Sequence, residues 1–228
     1  MLPIRKAITY INKKPGRICD FMTQEEKYYL YKEKNFAGRF FGHLSTVLTH
    51  KKYVMRACFK MGLYRQGLFH DLSKFSLTEF VPSVKYYSGR LSPNAVDRKI
   101  NGASLAWLHH KGRNKHHFEY WIDYSASSDE YAFGCKMPLR FVAEMVADRY
   151  AACVAYNKDE YTKGDAWAYY QRARDVIIMH KDTKAVLEKA LTIMANEGED
   201  AAFKYMKEIL KITKGTDYSI ESLGLKES

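Results

Sequence analysis

AGRFFGHLSTVLTHKKYVMRACFKMG, residues 37–62, repeats its apolar side chains at helical intervals: Phe40, Phe41, Leu44, Val47, Leu48, Val54 and Cys58. Positions three, four and seven apart share one face of a 3.6-residue turn, so the spacing predicts a long amphipathic helix. Gly62 follows the last apolar position and ends it, since glycine accepts the left-handed backbone of a helix stop. His43, Val47, His50 and Val54 lie on one stripe of this helix, which turns His50 inward among apolar neighbours.

The same periodicity continues along the chain. Thr23–Glu26 reads as a capping box for a helix reaching about Glu33, and Ser76–Glu79 as another for a helix reaching about Tyr87. Ser92-Pro93 supplies an N-cap and first-turn proline for a helix ending at Lys111-Gly112. A loop with Ser125–Asp129 and Gly134 leaves room for a short hairpin near 124–136. Pro138 then opens a helix to about Tyr156, and further helices are expected at 165–180, 183–195 and 198–213. The expected fold is all-α, a single helical domain of seven to nine helices. Residues 1–36 form a basic N-terminal segment with one helix, 37–215 the helical domain and 216–228 a polar tail.

Composition narrows the class. A chain of 228 residues, 46% hydrophobic and 28% charged, has enough length for one sizeable core. No apolar run approaches the roughly 20 residues that span a bilayer, so no membrane partner is expected. The N-terminus is basic without a secretory apolar segment, and Cys19, Cys58, Cys135 and Cys153 form no CxxC pair. Both features point to a cytoplasmic protein with free thiols. Net charge is +11, and residues 1–65 hold 14 Lys/Arg against four acids. A basic end of this kind attracts phosphorylated small molecules or nucleic acid, or is simply a solvated face. Oligomeric state is not legible.

Seven of the eight histidines crowd into three places: the helix at 37–61, GLFHDLSKF at 67–75, and LAWLHHKGRNKHHFEYW at 105–121. The last supplies His109, His110, His116 and His117. Imidazoles with carboxylates are the donors that zinc, iron and manganese prefer. In RFVAEMVADRY, residues 140–150, Asp148 shares a helical face with Phe141 and Met145 and interrupts a buried stripe. A buried carboxylate must be ion-paired, hydrogen-bonded or bound to metal, and a salt bridge remains the simpler alternative.

The order H…HD…H…H…D on a helical background resembles the HD-domain superfamily of metal-dependent phosphohydrolases. That resemblance implies His50 as first ligand, the His70–Asp71 dyad, and Asp148 as closing carboxylate. It further implies Asp71 as a bridge and histidines among His109, His110, His116 and His117 for a second ion. The segments GHLSTVLTHKKYV, GLFHDLSKFSLTEF, AWLHHKGRNKHHFEYW and MPLRFVAEMVADRY look closer still to an uncharacterised family of bacteria and their phages, over roughly residues 37–195, which brings no known activity. The GYP-type signature of cyclic-dinucleotide phosphodiesterases is missing.

The function expected on this basis is hydrolysis of a phosphomonoester or phosphodiester, on a nucleotide or similar small substrate. One or two ions of Mn, Fe, Zn, Co or Ni would activate water. Lys74, Glu79 and Arg113 are the candidate catalytic residues, and Lys74, Arg113 and Lys115 the candidate phosphate contacts. For all four a plain surface role stays open, and Glu79 also has its cap. Two other readings use the same residues: a basic helical module binding nucleic acid or protein with structural or no metal, and an HD-like di-iron oxygenase.

Overall fold

The computed structural model describes residues 30–126, 131–213 and 217–225. Among these it is all-α, with nine α-helices and one two-stranded ribbon. The expected helix from Thr23 lies outside the described residues except for a 3-10 turn at Leu30–Glu33.

Helix α1 (Phe36–Met61) forms as its spacing predicts. Asn35 caps it by accepting from Gly38 N at 2.7 Å, and Gly62 closes it at φ 84°. Its buried stripe is His43, Val47, His50, Val54, Ala57, Cys58 and Met61. The stripe packs along α6 (Leu139–Asn157), whose Val142, Ala143, Val146, Ala147 and Ala151 are fully buried. Small residues on α6 let the two backbones approach, and burying each Val or Leu contributes about 1.5–3 kcal/mol. Helices α8 (Lys181–Glu197) and α9 (Glu199–Ile212) cover the remaining faces through Val186, Leu187, Leu191, Met194, Phe203 and Met206.

The site-bearing half is built from shorter pieces. Helix α2 (Tyr64–Phe69) leads into a 3-10 turn at Leu72–Phe75, and α3 (Leu77–Lys85) follows. The single helix expected over 92–111 is two: α4 (Pro93–Asn101) and α5 (Leu105–Lys111). Gly102, at φ 78°, stops the first, and Ser104 caps the second by accepting from Trp107 N. A stop and a start four residues apart override the apolar period.

The hairpin pairs β1 (Ile122–Tyr124) with β2 (Ala132–Gly134), antiparallel, Asp123 opposite Phe133. The helix expected over 165–180 covers only α7 (Asp165–Gln171). Beyond it the chain crosses β2 so closely that a Cβ on Gly134 would meet His180 N at 2.5 Å and Met179 C at 2.6 Å. The expected polar tail is also anchored: Tyr218 is buried and its hydroxyl donates to Met137 O at 2.7 Å. Among the described residues no helix is long and apolar enough to cross a membrane.

Candidate metal centre

His70 and Asp71 sit where α2 gives way to the 3-10 turn. His70 is extended (φ −52°, ψ 129°) and Asp71 is left-handed (φ 53°, ψ 30°), a conformation that Asp tolerates better than most residues. This reversal sends two neighbouring side chains into one buried space, where an unbroken helix would splay them about 100° apart. Lys51 of α1 clamps the turn, its ammonium donating to Leu68 O at 2.8 Å and His70 O at 2.9 Å.

Two donor sets meet at Asp71. The first is His50, His70, Asp71 and Asp148; the second is Asp71, His110, His116 and His117. In the first, His50 Nε2 lies 3.1 Å from Asp148 Oδ1 and 3.7 Å from Asp71 Oδ2. His70 Nε2 lies 3.2 Å from Asp71 Oδ2, 3.4 Å from Asp148 Oδ1 and 3.4 Å from His50 Nε2. In the second, Asp71 Oδ1 lies 3.4 Å from His110 Nε2 and 3.3 Å from His116 Nε2. Ligands about 2.0–2.1 Å from a tetrahedral ion stand about 3.3–3.4 Å apart, so both spacings suit a shared cation.

Two glutamates aim the imidazoles. Glu144 Oε1 accepts from His70 Nδ1 at 2.9 Å and from His116 Nδ1 at 3.2 Å, and Gln66 Nε2 holds its other oxygen at 2.8 Å. Glu79 takes His109 Nδ1 and His110 Nδ1, one on each oxygen, both at 2.7 Å. An ionised carboxylate only accepts, so each of these histidines carries its proton on Nδ1, and His70, His110 and His116 turn Nε2 toward the donor sets. The Nδ1 side of His70, His116 and Glu144 also groups closely enough for an ion. We assign it to hydrogen bonds, because Glu144 is already satisfied there.

The inner faces are therefore short of protons. Asp71 Oδ1, His116 Nε2 and His117 Nε2 are buried without a hydrogen-bond partner. With its Nδ1 proton given to Glu144, His70 Nε2 faces only acceptors. Such a cluster needs a positive charge at its middle. Burial opposes charge on His70, yet Asp71, Asp148 and Glu144 outweigh it and hold the imidazole well above its ordinary range. Burial likewise works against ionising Asp71 and Asp148, but the facing histidines, with Lys74 for Asp71, hold both carboxyls well below theirs. Burial and the neighbouring His116 and His110 keep His117 neutral, as a metal ligand must be. These buried groups can hold a metal ion.

The other candidates fall around this centre. Lys74 Nζ lies 2.6 Å from Asp71 Oδ2 at the partly open rim. His109 joins neither donor set; its Nε2 accepts from Arg113 Nε at 2.7 Å, so Glu79 and Arg113 use both its nitrogens. Lys115 is exposed, with its ammonium over the Tyr120 ring. Glu79 does not make the expected capping box, since Ser76 gives α3 no side-chain cap and the carboxylate is spent on histidines. Glu144 escaped sequence reasoning, although its place four residues before Asp148 was a usable signal: the two share a face of α6. His43 stands apart between Phe80 and Tyr87, pushed down to about 4 by burial and Lys74. His180 caps α8.

A family of unknown function (DUF5662) matches residues 39–193. The match takes in all of these donors, and the chain belongs to that family. No curated protein and no solved structure matches it.

Proposed function

We propose that this family member is a metal-dependent phosphohydrolase, acting on a nucleotide or similar small phosphorylated substrate. The observation that carries the reading is Asp71, whose two oxygens face separate nitrogen-rich donor sets while a lysine ammonium stands beside it. The likeness of the same residues, in the order H…HD…H…H…D, to the HD-domain superfamily supports this reading. His50, His70 and Asp148 would hold one ion and His110, His116 and His117 another, with Asp71 shared; Mn, Fe, Zn, Co and Ni all suit such donors.

Bound there, ions of this kind supply Lewis acidity, which makes water nucleophilic near neutral pH and offsets charge at phosphorus. The chain's own part is to present five imidazole nitrogens and three carboxylate oxygens, with the rings of His70, His116 and His110 already fixed by Glu144 and Glu79. Lys74 stays protonated: burial disfavours its charge, but Asp71 and Asp148 more than offset this. With its ammonium at the rim beside Asp71, it would serve as a contact for a phosphate oxygen. Arg113, tied to His109, stands ready for an outer phosphate oxygen.

The test is elemental analysis of the purified chain, then phosphate release from a nucleotide panel with each metal restored. Release that disappears in His70→Ala and Asp71→Ala supports the reading. Metal bound without release from any phosphate ester sinks it, and iron with oxygen uptake would favour the di-iron oxygenase instead.

A further inference from the structure

Three residues beyond His50, α1 turns a second face to a cleft of ≈ 420 Å³ on the side of the fold shared with α6 and α9. Tyr53, Arg56, Phe59 and Lys60 line it from α1, Tyr150 from α6 and Phe203 from α9. A neighbouring cleft of ≈ 350 Å³ shares Lys60 and Phe203 and continues along Lys204 and Lys207. Tyr150 and Phe203 form the floor, buried and edge to face at 5.3 Å. Phe59, one of the lining residues, meets Tyr64 of α2 edge to face at 5.2 Å, and the two are 37% and 62% exposed.

Cations line both sides of this groove, Arg56 and Lys60 from α1 and Lys204 and Lys207 from α9, and Lys52 and Lys211 extend the two rows. Lys52, Arg56 and Lys60 recur every four residues on α1, about 6 Å apart along the axis. Lys204, Lys207 and Lys211 recur at three and four on α9, and all six are exposed. Acids stand at three places, Asp200, Glu208 and Glu199, the last acting on the Tyr150 floor. Asp200 pairs with Lys60 in a solvent-exposed contact that a phosphate can displace, and Glu208 lies beside Lys207. The groove uses Lys52, Arg56 and Lys60 from the basic stretch 1–65 and none of the candidate metal donors.

We propose that this groove binds single-stranded nucleic acid, its phosphates following Arg56, Lys60, Lys204 and Lys207 and its bases stacking on Phe59 and Tyr64. Cation rows along an aromatic platform are the ordinary means of holding a single strand without reading its sequence. A duplex hides its ring faces within the stack and offers these two aromatic rings nothing. The inference does not rest on the hydrolase reading, because the groove uses none of the metal donors.

The experiment is fluorescence anisotropy of a labelled oligothymidylate, longer than the ~4–16 nucleotides of a typical single-strand site, with the full chain in chelator. Expected is binding tighter than to a duplex of equal length, weakening steeply as salt rises. Arg56→Glu with Lys207→Glu should nearly abolish it, and Phe59→Ala or Tyr64→Ala should weaken it roughly tenfold each. Arg98→Glu, on the exposed side of α4, should leave it unchanged, and circular dichroism should show every variant folded. Equal or tighter duplex binding, an equal loss in Arg98→Glu, or a loss that follows His70→Ala but not Arg56→Glu overturns the proposal. The last outcome would put the strand at the metal centre.

Discussion

His70 Nδ1 stands 2.9 Å from Glu144 Oε1, and this one contact decides which way the central imidazole faces. With that bond made, Nε2 looks at His50, Asp71 and Asp148. Without it, the ring is free to flip and the first donor set loses its middle member. Glu144→Ala should therefore lower metal affinity by roughly 10–100-fold with little change in fold, as loss of a ligand-orienting carboxylate does. Chelator competition measures it; unchanged affinity would mean that packing alone holds the ring.

Glu79 gives a sharper contrast, because two roles predict different outcomes. As half of a capping box, its loss would cost α3 about 1 kcal/mol. As the shared acceptor for His109 and His110, its loss leaves a buried imidazole N–H unpaired, which costs about 1–3 kcal/mol, and also weakens the second donor set. Glu79→Ala should thus lower metal content under limiting supply as well as the urea midpoint, and the first of these the capping role does not predict. A destabilised helix with full metal content would restore the capping role.

The pH response of the metal-free chain follows from His70. Its folded pKa is raised well above the ordinary 6.5 by Asp71, Asp148 and Glu144 against the pull of burial. Its stabilisation is complete below about 6.5 and is lost as pH climbs toward the folded value. Glu144, lowered to about 2 by His116 and His70 despite burial, acts at the other end: its contribution is present above about 4.5 and is lost as pH falls toward 2. Thermal melts in chelator should show Tm declining above pH 6.5. Added metal should reverse that decline, since an ion replaces the His70 proton and releases it. A flat Tm from pH 6 to 8.5 would contradict the raised value.

Lys74→Ala separates substrate binding from metal binding. Asp71 keeps its histidine neighbours, so metal content should stay full or rise once the competing ammonium is gone. KM for a phosphorylated substrate should rise by roughly tenfold or more, the scale of a charge-assisted hydrogen bond of 1.5–3 kcal/mol. Loss of metal instead would make Lys74 a support for the Asp71 turn.

Gly134→Ala tests the crossing of β2 by the chain before α8. The added methyl would sit within 2.7 Å of backbone atoms of Met179 and His180, which cannot swing away as a side-chain tip can. The cost should be about 1–3 kcal/mol in a urea melt, at normal metal affinity, because Gly134 touches no donor.

The helices themselves were plain in the order of residues. The stripe of α1, its stop at Gly62 and the placement of Asp148 on a buried face are short-range facts, set by spacing within a few turns. The split of α4 from α5 was also written locally, in Gly102 and Ser104, but the apolar period concealed it. The shortening of α7 was not local: beyond it the chain winds through turns over 172–176 and then leaves helical structure over 177–180 to pass Gly134. The His70–Asp71 pair and the two histidine doublets were visible as a concentration of donors. Which member of the first doublet faces inward was not, because His109 and His110 are adjacent, both bond Glu79, and only the approach of His110 Nε2 to the distant Asp71 sets it apart from His109, whose Nε2 goes to Arg113.

By itself, then, the sequence determined an all-α chain and a supply of imidazoles and carboxylates too concentrated for ordinary packing. Only the tertiary structure decided that Asp71 is shared by two donor sets, that His109 stands outside both, and that Glu144 and Glu79 aim the rings. The physical reason is range. Helical periodicity is governed by neighbours within a turn or two, whereas a donor set is a matter of ångströms between atoms up to 98 residues apart, from His50 to Asp148. Those distances exist only once α1, the Asp71 turn, α5 and α6 have packed.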